Sequence, residues 1–437
     1  MIIFVVALAL RLLTILFGNQ DDILSHGEWG RWVYLHGAKG FYEEKSGWIY
    51  SAPAQVPLFN LMVAALFGGY MWTLNLLLSL KSIIHIIPAS LIWWWEGNLG
   101  NITSYIPGYI IWLKLPGIIA DLGIAGIIYQ VGKKIHQQKN GLMVAALYLF
   151  LPFSWYLSSL WGQVDQLVSL LALVSFIFLY QRRFVLSTLV FTGGVLIKPT
   201  IIFLAPFFAF YFFYQRPSLK SLLLSVLGTL AVFLASVVPF ADRNPFTYFY
   251  EVIFPTVFFN GRYALATKTF NIWYFFFPPP VVLRADIPIL GIPAAVWGYL
   301  ALVTLYGLSV LTIIRKNNFK NLLTAVYIIA GGSYLFGTSM LDRYFYAAIV
   351  FMALLTLYVP KLLKWWVLSA LIFFVNLFYS WGYPFLGNDV VWTNELVVRG
   401  FSLIQVAVFL VSLYELGVFR TLGVLKKGKR VVVFNAK

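Results

Sequence analysis

The chain has 437 residues, of which 61% are hydrophobic and 11% charged, and it carries a formal net charge of +16 with no cysteine. A soluble domain is about 45–50% apolar and about 25% charged, so this composition excludes a soluble fold and predicts an integral membrane protein. The basic residues lie in short loops between apolar runs, so the charge indicates membrane topology and not a nucleic-acid partner, and the lack of cysteine excludes disulfides and thiolate metal sites.

The first apolar run, residues 1–17, has no small-residue cleavage site after it and is interrupted by Arg11. We therefore predict an uncleaved transmembrane helix and not a signal peptide. Further apolar runs predict an all-α, polytopic transmembrane bundle of about 11–14 helices that forms one membrane domain over residues 1–437. The predicted segments are 1–17, 55–70, 72–95, 109–131, 141–159, 166–180, 184–197, 200–214, 220–240, 289–314, 321–340, 344–360, 364–382 and 399–418.

Two parts of this list allow more than one interpretation. Segments 184–197 and 200–214 are short for membrane spans, so they form either a hairpin entering from the cytoplasm or two tilted helices. The stretch 55–95 is ambiguous in the same way.

Lysine and arginine cluster in alternate loops, and the positive-inside rule assigns those loops to the cytoplasm. Both termini are then cytoplasmic, including a basic tail at 419–437. The first outer loop, 18–54, and a large outer loop, 241–288, face the other side. We expect the first of these to contain a short amphipathic helix at the membrane surface.

Polar residues other than lysine and arginine collect on the outer side. Asp21 and Asp22 follow the first helix directly, where a carboxylate beside a cation can stay ionised and act as a general base. The simpler interpretation is that two acids end a helix and help to fix its orientation.

Two further outer motifs lie between apolar segments. Trp161-Gly162-Gln163-Val164-Asp165 holds a carboxylate whose burial is costly, which favours a polar pocket, although a structural cap is the alternative. Lys198 precedes Pro199 deep in an apolar stretch, and its ammonium suits a lipid-linked phosphate. The alternative is a snorkelling lysine that positions a broken helix.

The later outer loops carry more cations and aromatic residues. The large loop contains Arg262, Lys268, Asn271 and Trp273. The motif Leu341-Asp342-Arg343-Tyr344 follows, and it is either a phosphate-binding arginine with an orienting acid or an ordinary interfacial ion pair. Carboxylates, cations and aromatic faces together suit a phosphate-linked lipid that bears a sugar.

These motifs, taken in order, resemble the GT-C superfamily of polytopic glycosyltransferases, and within it the bacterial and archaeal mannosyltransferase-like group related to the enzymes of GPI-anchor synthesis. The His-Glu-Arg-Tyr type motif of that family corresponds to residues 341–344 without its histidine, and Tyr-Pro-Pro corresponds to Tyr50-Ser51-Ala52-Pro53. The stretches that carry the resemblance are Asp22 with Trp29; Pro116, Gly117 and Asp121; Trp161 to Asp165; Lys198-Pro199; and Phe270, Asn271 and Trp273.

The resemblance implies the transfer of a hexose, with mannose the expected one, from a polyprenyl-phosphate donor with inversion of configuration. The acceptor would be a glycan, a lipid or a protein at the outer face of a plasma membrane. It implies no cofactor and no obligatory metal, and the four histidines show no ligand spacing. By carry-over, Asp22 would be the general base with Asp21 as a substitute. The implied donor-phosphate residues are Lys198, Arg343, Arg262 and Lys268, and the implied sugar and acceptor pocket is Trp161, Gln163, Asp165, Asn271, Trp273, Asp342 and Tyr344.

Two other functions compete with this one. A transporter or flippase of a lipid-linked saccharide would need polar residues along a route through the membrane, and usually internal symmetry. A polysaccharide polymerase or ligase would share the outer site but use a diphosphate-linked donor.

Overall fold

A computed structural model of the chain describes residues 2–18, 21–44, 46–85, 87–97, 106–259, 264–278, 283–381 and 395–419. Over these ranges the protein is an all-α helical bundle, which confirms the predicted fold class. The predicted basic tail lies almost wholly outside the described residues. The helices are α1 Ile2–Thr14, α2 Asp21–His36, α3 Pro57–Ile84, α4 Ala89–Glu96, α5 Pro107–Lys134, α6 Gln138–Phe150, α7 Pro152–Trp155, α8 Asp165–Tyr180, α9 Phe184–Ile197, α10 Ala205–Tyr214, α11 Leu219–Val237, α12 Pro245–Tyr248, α13 Ile272–Phe276, α14 Ala294–Arg315, α15 Phe319–Phe336, α16 Tyr346–Thr356, α17 Leu362–Ser380 and α18 Glu395–Glu415.

Within the described residues, six helices are long and apolar enough to cross a membrane, namely α3, α5, α11, α14, α17 and α18. The pair formed by α6 and Pro152–Trp161 would be a seventh span, bent by 49°. The bend falls at Pro152, because proline has no N–H to continue the helix. Shorter apolar helices cover 2–14, 165–180, 184–197 and 199–214. The protein is therefore embedded in a membrane.

The predicted boundaries need correction around residues 55–95. The predicted segments 55–70 and 72–95 are wrong as two spans, since α3 runs unbroken over 28 residues and α4 follows as a helix of 8 residues. The helix continues through Gly68 and Gly69, and glycine is well tolerated inside apolar helices.

The centre of the bundle is formed by α15 and α16, whose side chains are buried almost throughout. Outer helices such as α11 and α14 expose Leu227, Tyr299 and Val303 by 59–68%. Such faces are expected where lipid, and not water, surrounds the protein.

A buried ion pair crosses the core close to its middle. Arg11 and Asp121 are both fully buried, with 3.1 Å between Nη2 and Oδ2. The Tyr148 and Tyr346 hydroxyls donate to Asp121 Oδ1 at 3.0 and 2.6 Å, and Arg11 also donates to Ser154 Oγ at 3.0 Å. Because hydrogen bonds surround both charges, this pair joins α1, α5, α6 and α16 as a structural unit.

Two short strand pairs organise the segment predicted as the large outer loop. β1 (Ala266–Thr267) pairs in parallel with β4 (Met340–Leu341), and β2 (Pro288–Ile289) pairs antiparallel with β3 (Ile292–Pro293). The first pairing holds this segment beside the turn that contains Arg343. Helical turns at 245–259 and α13 occupy much of the rest of the described loop.

Candidate functional site

Asp22 occupies the second position of α2, the helix expected in the first outer loop. Its Oδ2 atom lies 3.2 Å from Arg343 Nη2, and it accepts a hydrogen bond of 2.8 Å from Gln163 Nε2. The Asp22 side chain keeps 34% of its surface exposed. This acid is therefore paired with a cation and still accessible.

The loop that carries Gln163 reaches Asp22 because of two glycines. A π-helical turn, Tyr156–Trp161, ends at Gly162, which has a φ of +83°. A Cβ on Gly162 would lie 2.2 Å from Ile23 Cδ1, and a Cβ on Gly117 would lie 2.7 Å from the Gln163 carbonyl oxygen. Only residues without side chains allow the loop to lie this close to both α2 and α5.

Lys198 caps the end of α9 in extended conformation, as expected for a residue that precedes proline. Its Nζ atom donates to Asp165 Oδ2 at 2.7 Å and to Gln163 Oε1 at 3.3 Å. The Lys198 and Asp165 side chains are 5% and 3% exposed. Gln163 thus bridges the lysine and Asp22.

Arg343 lies in a 3₁₀ turn, Asp342–Phe345, between α15 and α16. Its guanidinium lies 3.4 Å from Asp342 Oδ1, and Nε lies 3.9 Å from Asp165 Oδ2. The guanidinium carbon also lies 5.7 Å above the Trp161 ring, at a cation–π distance. We call Asp22, Gln163, Asp165, Lys198, Asp342 and Arg343 the charged cluster.

The surroundings shift the pKa values of Asp22 and Asp342, two acids of the charged cluster, in opposite directions. Burial acts to raise the pKa of Asp22, but Arg343, His26, Lys198 and the Gln163 hydrogen bond together hold that pKa below its usual value. Burial raises the pKa of Asp342 despite its arginine neighbour. Asp22 is consequently ionised at neutral pH.

A cavity of about 350 Å³ is lined by chain neighbours of both Lys198 and Arg343. It begins at Pro199, next to Lys198, and is bordered by Leu341 and Tyr344 on either side of Arg343. Its other walls come from β1, from the 3₁₀ turn Pro199–Leu204 and from the residues before β4. Its walls are mostly apolar, so it suits a ligand with an anionic end and an apolar remainder.

Three of the predicted residues have other partners. Lys268 Nζ donates to the Ser380 carbonyl oxygen at 3.1 Å, Asn271 caps α13, and Trp273 Nε1 donates to the Gly337 carbonyl oxygen at 3.0 Å. Within the described ranges, none of them hydrogen-bonds or pairs with the charged cluster. Asn271 and Trp273 hold this segment against the end of α15, and Lys268 holds it against the end of α17. Arg262 and the Asp21 side chain lie outside the described residues.

The structure brings Asp22, Lys198 and Arg343 together, as the sequence predicts, while their chemical roles stay predictions. Trp161, Gln163, Asp165, Asp342 and Tyr344 also lie at the charged cluster or at its cavity. The part of the chain that the structure describes contains no group of three or more potential metal ligands.

Sequence reasoning missed two residues next to the charged cluster. Lys114, which is 1% exposed, donates from Nζ to the carbonyl oxygens of Ile15, Gly18 and Leu160 at 2.6–2.9 Å. His26, one turn after Asp22, is 6% exposed and lies edge-on to Phe59. An isolated lysine inside an apolar span is the signal that could have identified Lys114.

No protein-family model matches the chain, and a search of curated proteins finds no match.

Proposed function

We propose that this protein is a membrane hexosyltransferase of the GT-C type. It transfers a hexose, which we expect to be mannose, from a polyprenyl-phosphate donor to an acceptor hydroxyl on the extracytoplasmic face. The transfer inverts the configuration at the anomeric carbon. The observation that carries the proposal is the 3.2 Å contact between Asp22 and Arg343 in one hydrogen-bonded cluster with Lys198.

The arrangement of cations supports a phosphate-bearing donor. Lys198 and Arg343 approach the same carboxylate, Asp165, at 2.7 and 3.9 Å, so both can approach one small anion. Among the described residues, Arg343 Nε has no hydrogen-bond partner, which leaves part of the guanidinium fork for a phosphate oxygen. The adjoining cavity suits the first part of a prenyl chain.

The position of Asp22 supports its role as the base. The acceptor hydroxyl gives its proton to the Asp22 carboxylate while its oxygen bonds to the anomeric carbon. The bond from that carbon to the phosphate oxygen breaks, and its electron pair stays on the phosphate, where Lys198 and Arg343 stabilise the added charge. A bound anionic donor offsets the charge of Arg343 beside Asp22, which acts to raise the pKa of Asp22 and makes it a stronger base.

The test is the replacement Asp22→Asn in purified protein reconstituted into nanodiscs. The protein is supplied with a panel of polyprenyl-phosphate hexoses and alkyl glycoside acceptors, and product is measured by mass spectrometry. We expect the variant to lose about 10²–10⁴-fold in rate, the usual contribution of a general base. Asp286→Asn is the matched control, because Asp286 also pairs with an arginine, at 3.1 Å, but in an exposed loop.

Retained transfer by Asp22→Asn at an unchanged melting temperature would contradict the proposal. A second arm supplies diphosphate-linked donors, and turnover of these alone would indicate a polymerase or ligase. A third arm follows a fluorescent lipid-linked sugar in sealed vesicles, and translocation without transfer would indicate a flippase.

A further inference from the structure

A separate cavity, lined mainly by polar residues, lies where α14 and α18 end and α15 begins. Its volume is about 270 Å³. We call it the basic pocket. The residues that matter for its chemistry are Arg315, Lys316, Lys320, Asn321, Leu416 and Gly417.

The basic pocket lies far from the charged cluster. Lys320 is in the first turn of α15, whereas Arg343 follows the other end of that helix. A helix of 18 residues is about 27 Å long, close to the roughly 30 Å hydrocarbon thickness of a bilayer. The candidate span α14 runs alongside α15, from Gly298 beside Phe336 and Gly337 to Arg315 in the basic pocket, so the two sites lie near opposite ends of a membrane span.

The basic pocket carries three cations that no acid among the described residues pairs with. Within the described ranges, Arg315, Lys316 and Lys320 form no ion pair, and Glu415 at the end of α18 pairs with none of them. The positive end of α15 adds to the same field. Three cations around one cavity favour an anion.

The loop that presents these cations is fixed in place. Asn318 caps α15 by accepting from the Asn321 amide at 2.9 Å, and the Asn321 side chain donates to the Thr312 and Lys316 carbonyl oxygens at 3.3 and 2.8 Å. A preorganised loop loses little conformational entropy when a ligand binds.

The surroundings of the basic pocket decide between a soluble anion and a lipid. Ile314, Leu410 and Tyr414, on the two helices that end at the pocket, are 47%, 43% and 62% exposed. Ile314 precedes Arg315 in the chain, and Leu410 and Tyr414 lie within two turns of Leu416, so apolar surface is exposed on the parts of both helices that lead to the pocket. We propose that the basic pocket binds the phosphate of an anionic phospholipid in the leaflet opposite the charged cluster, with acyl chains along α14 and α18.

Native mass spectrometry tests this proposal without any assay of activity. Detergent-purified protein is titrated with phosphatidylglycerol, with phosphatidylcholine and with inorganic phosphate. We expect saturable retention of phosphatidylglycerol. The triple variant Arg315→Ala, Lys316→Ala, Lys320→Ala should weaken it by about tenfold or more, because each basic residue near an anionic lipid contributes measurably.

The matched control is Lys133→Ala, Lys134→Ala, Lys139→Ala, which removes the same charge from the adjoining ends of α5 and α6, outside the basic pocket. Equal loss in both triple variants, or equal retention of phosphatidylcholine, would overturn the proposal. Displacement of the lipid by millimolar inorganic phosphate would overturn the lipid assignment in favour of a soluble anion. If the triple variant does not fold, the single variant Lys320→Gln is compared with Lys139→Gln in the same way.

Discussion

The Asp22 carboxylate and the Arg343 guanidinium lie 3.2 Å apart, although one begins α2 and the other lies in the turn between α15 and α16. The Arg343 side chain is 14% exposed, and it also contacts Asp342 and Asp165. A single cation thus faces three acids. Its removal affects both the charge of the site and the position of Asp22.

Replacement of Arg343 separates the effect of charge from that of geometry. Arg343→Lys keeps the charge but loses the planar fork and the contact with the Trp161 ring, so we expect about a tenfold fall in transfer rate. Arg343→Ala leaves the acids unopposed, and we expect a fall of about 10²-fold or more. Rates are measured with the donor that the wild type uses. Equal activity of the lysine variant and the wild type would show that only charge matters.

The buried pair Arg11 and Asp121 is predicted to act on stability alone. Asp121→Asn leaves Arg11 charged and fully buried, so we expect the free energy of unfolding to fall by about 3–5 kcal/mol. Thermal unfolding followed by tryptophan fluorescence measures the change. Breaking the exposed pair with Asp286→Asn should change it by less than about 1 kcal/mol. An Asp121→Asn variant that melts like the wild type would contradict the structural role.

Gly162→Ala tests the close approach of the Gln163 loop to α2. The new methyl would lie 2.2 Å from Ile23 Cδ1 and would occupy a positive-φ position, so we expect a loss of about 1–3 kcal/mol. Gly126→Ala is the control, since that glycine lies in α5 with nothing within 4 Å, and alanine there favours the helix by about 0.5–1 kcal/mol. The melting temperatures of the two variants should therefore move in opposite directions.

His26 should make the protein sensitive to mild acid. Burial, together with Lys198 and Arg343, lowers its pKa from 6.5 to about 3, against the opposing effect of Asp22. The unfolded chain then binds a proton between these values while the folded protein does not, so stability falls as pH drops below 6.5. The slope is at most about 1.4 kcal/mol per pH unit.

Melting temperatures recorded between pH 7 and pH 4 measure this effect. His26→Phe keeps the packing on Phe59 and cannot be protonated, so its stability should depend less on pH. His36→Gln is the control, because His36 lies exposed on the same helix. The pKa of Asp22 is lowered from 3.8, so the stability that this acid contributes is lost only as the pH falls below that value, outside the range measured. Identical pH profiles for His26→Phe and the wild type would refute this assignment.

The lack of cysteine makes the orientation easy to test. Ser46 and Asn140 are both exposed, and they lie in loops predicted to face opposite sides of the membrane. In intact cells a membrane-impermeant maleimide should label Ser46→Cys and leave Asn140→Cys unlabelled until the cells are opened. The reverse pattern would move the charged cluster to the cytoplasmic face and contradict the proposed donor side.

The sequence predicted the structure correctly where the signal lies in residues that are close together in the chain. Long apolar runs predicted most helices within a few residues, and a lysine before proline marked the end of α9. The meeting of Asp22 with Arg343 was predicted only through the order of motifs, because residues so far apart in the chain share no periodic pattern.

Other features depended on tertiary contacts. Asn271 and Trp273 are residue types that suit a sugar-binding site, yet their side chains hydrogen-bond to the backbone around the end of α15. The partner of Asp121 could not be read from the sequence, because Arg11 belongs to a different helix. The unbroken course of α3 from Pro57 to Ile84 was missed for a related reason, because tertiary packing decides where a long apolar stretch ends a helix.

Lys114 limits how the site can open. Its ammonium joins carbonyl oxygens of the chain just before α2 to that of Leu160, just before the Gln163 loop. Separating those two segments would strip a buried cation of its partners, at a cost of several kcal/mol. The side of the site that contains Asp22 and Gln163 is therefore attached to α5 by these hydrogen bonds and is expected to stay in place. If the proposed function holds, we expect any movement that admits a substrate to come from the turn that carries Arg343, which borders the cavity.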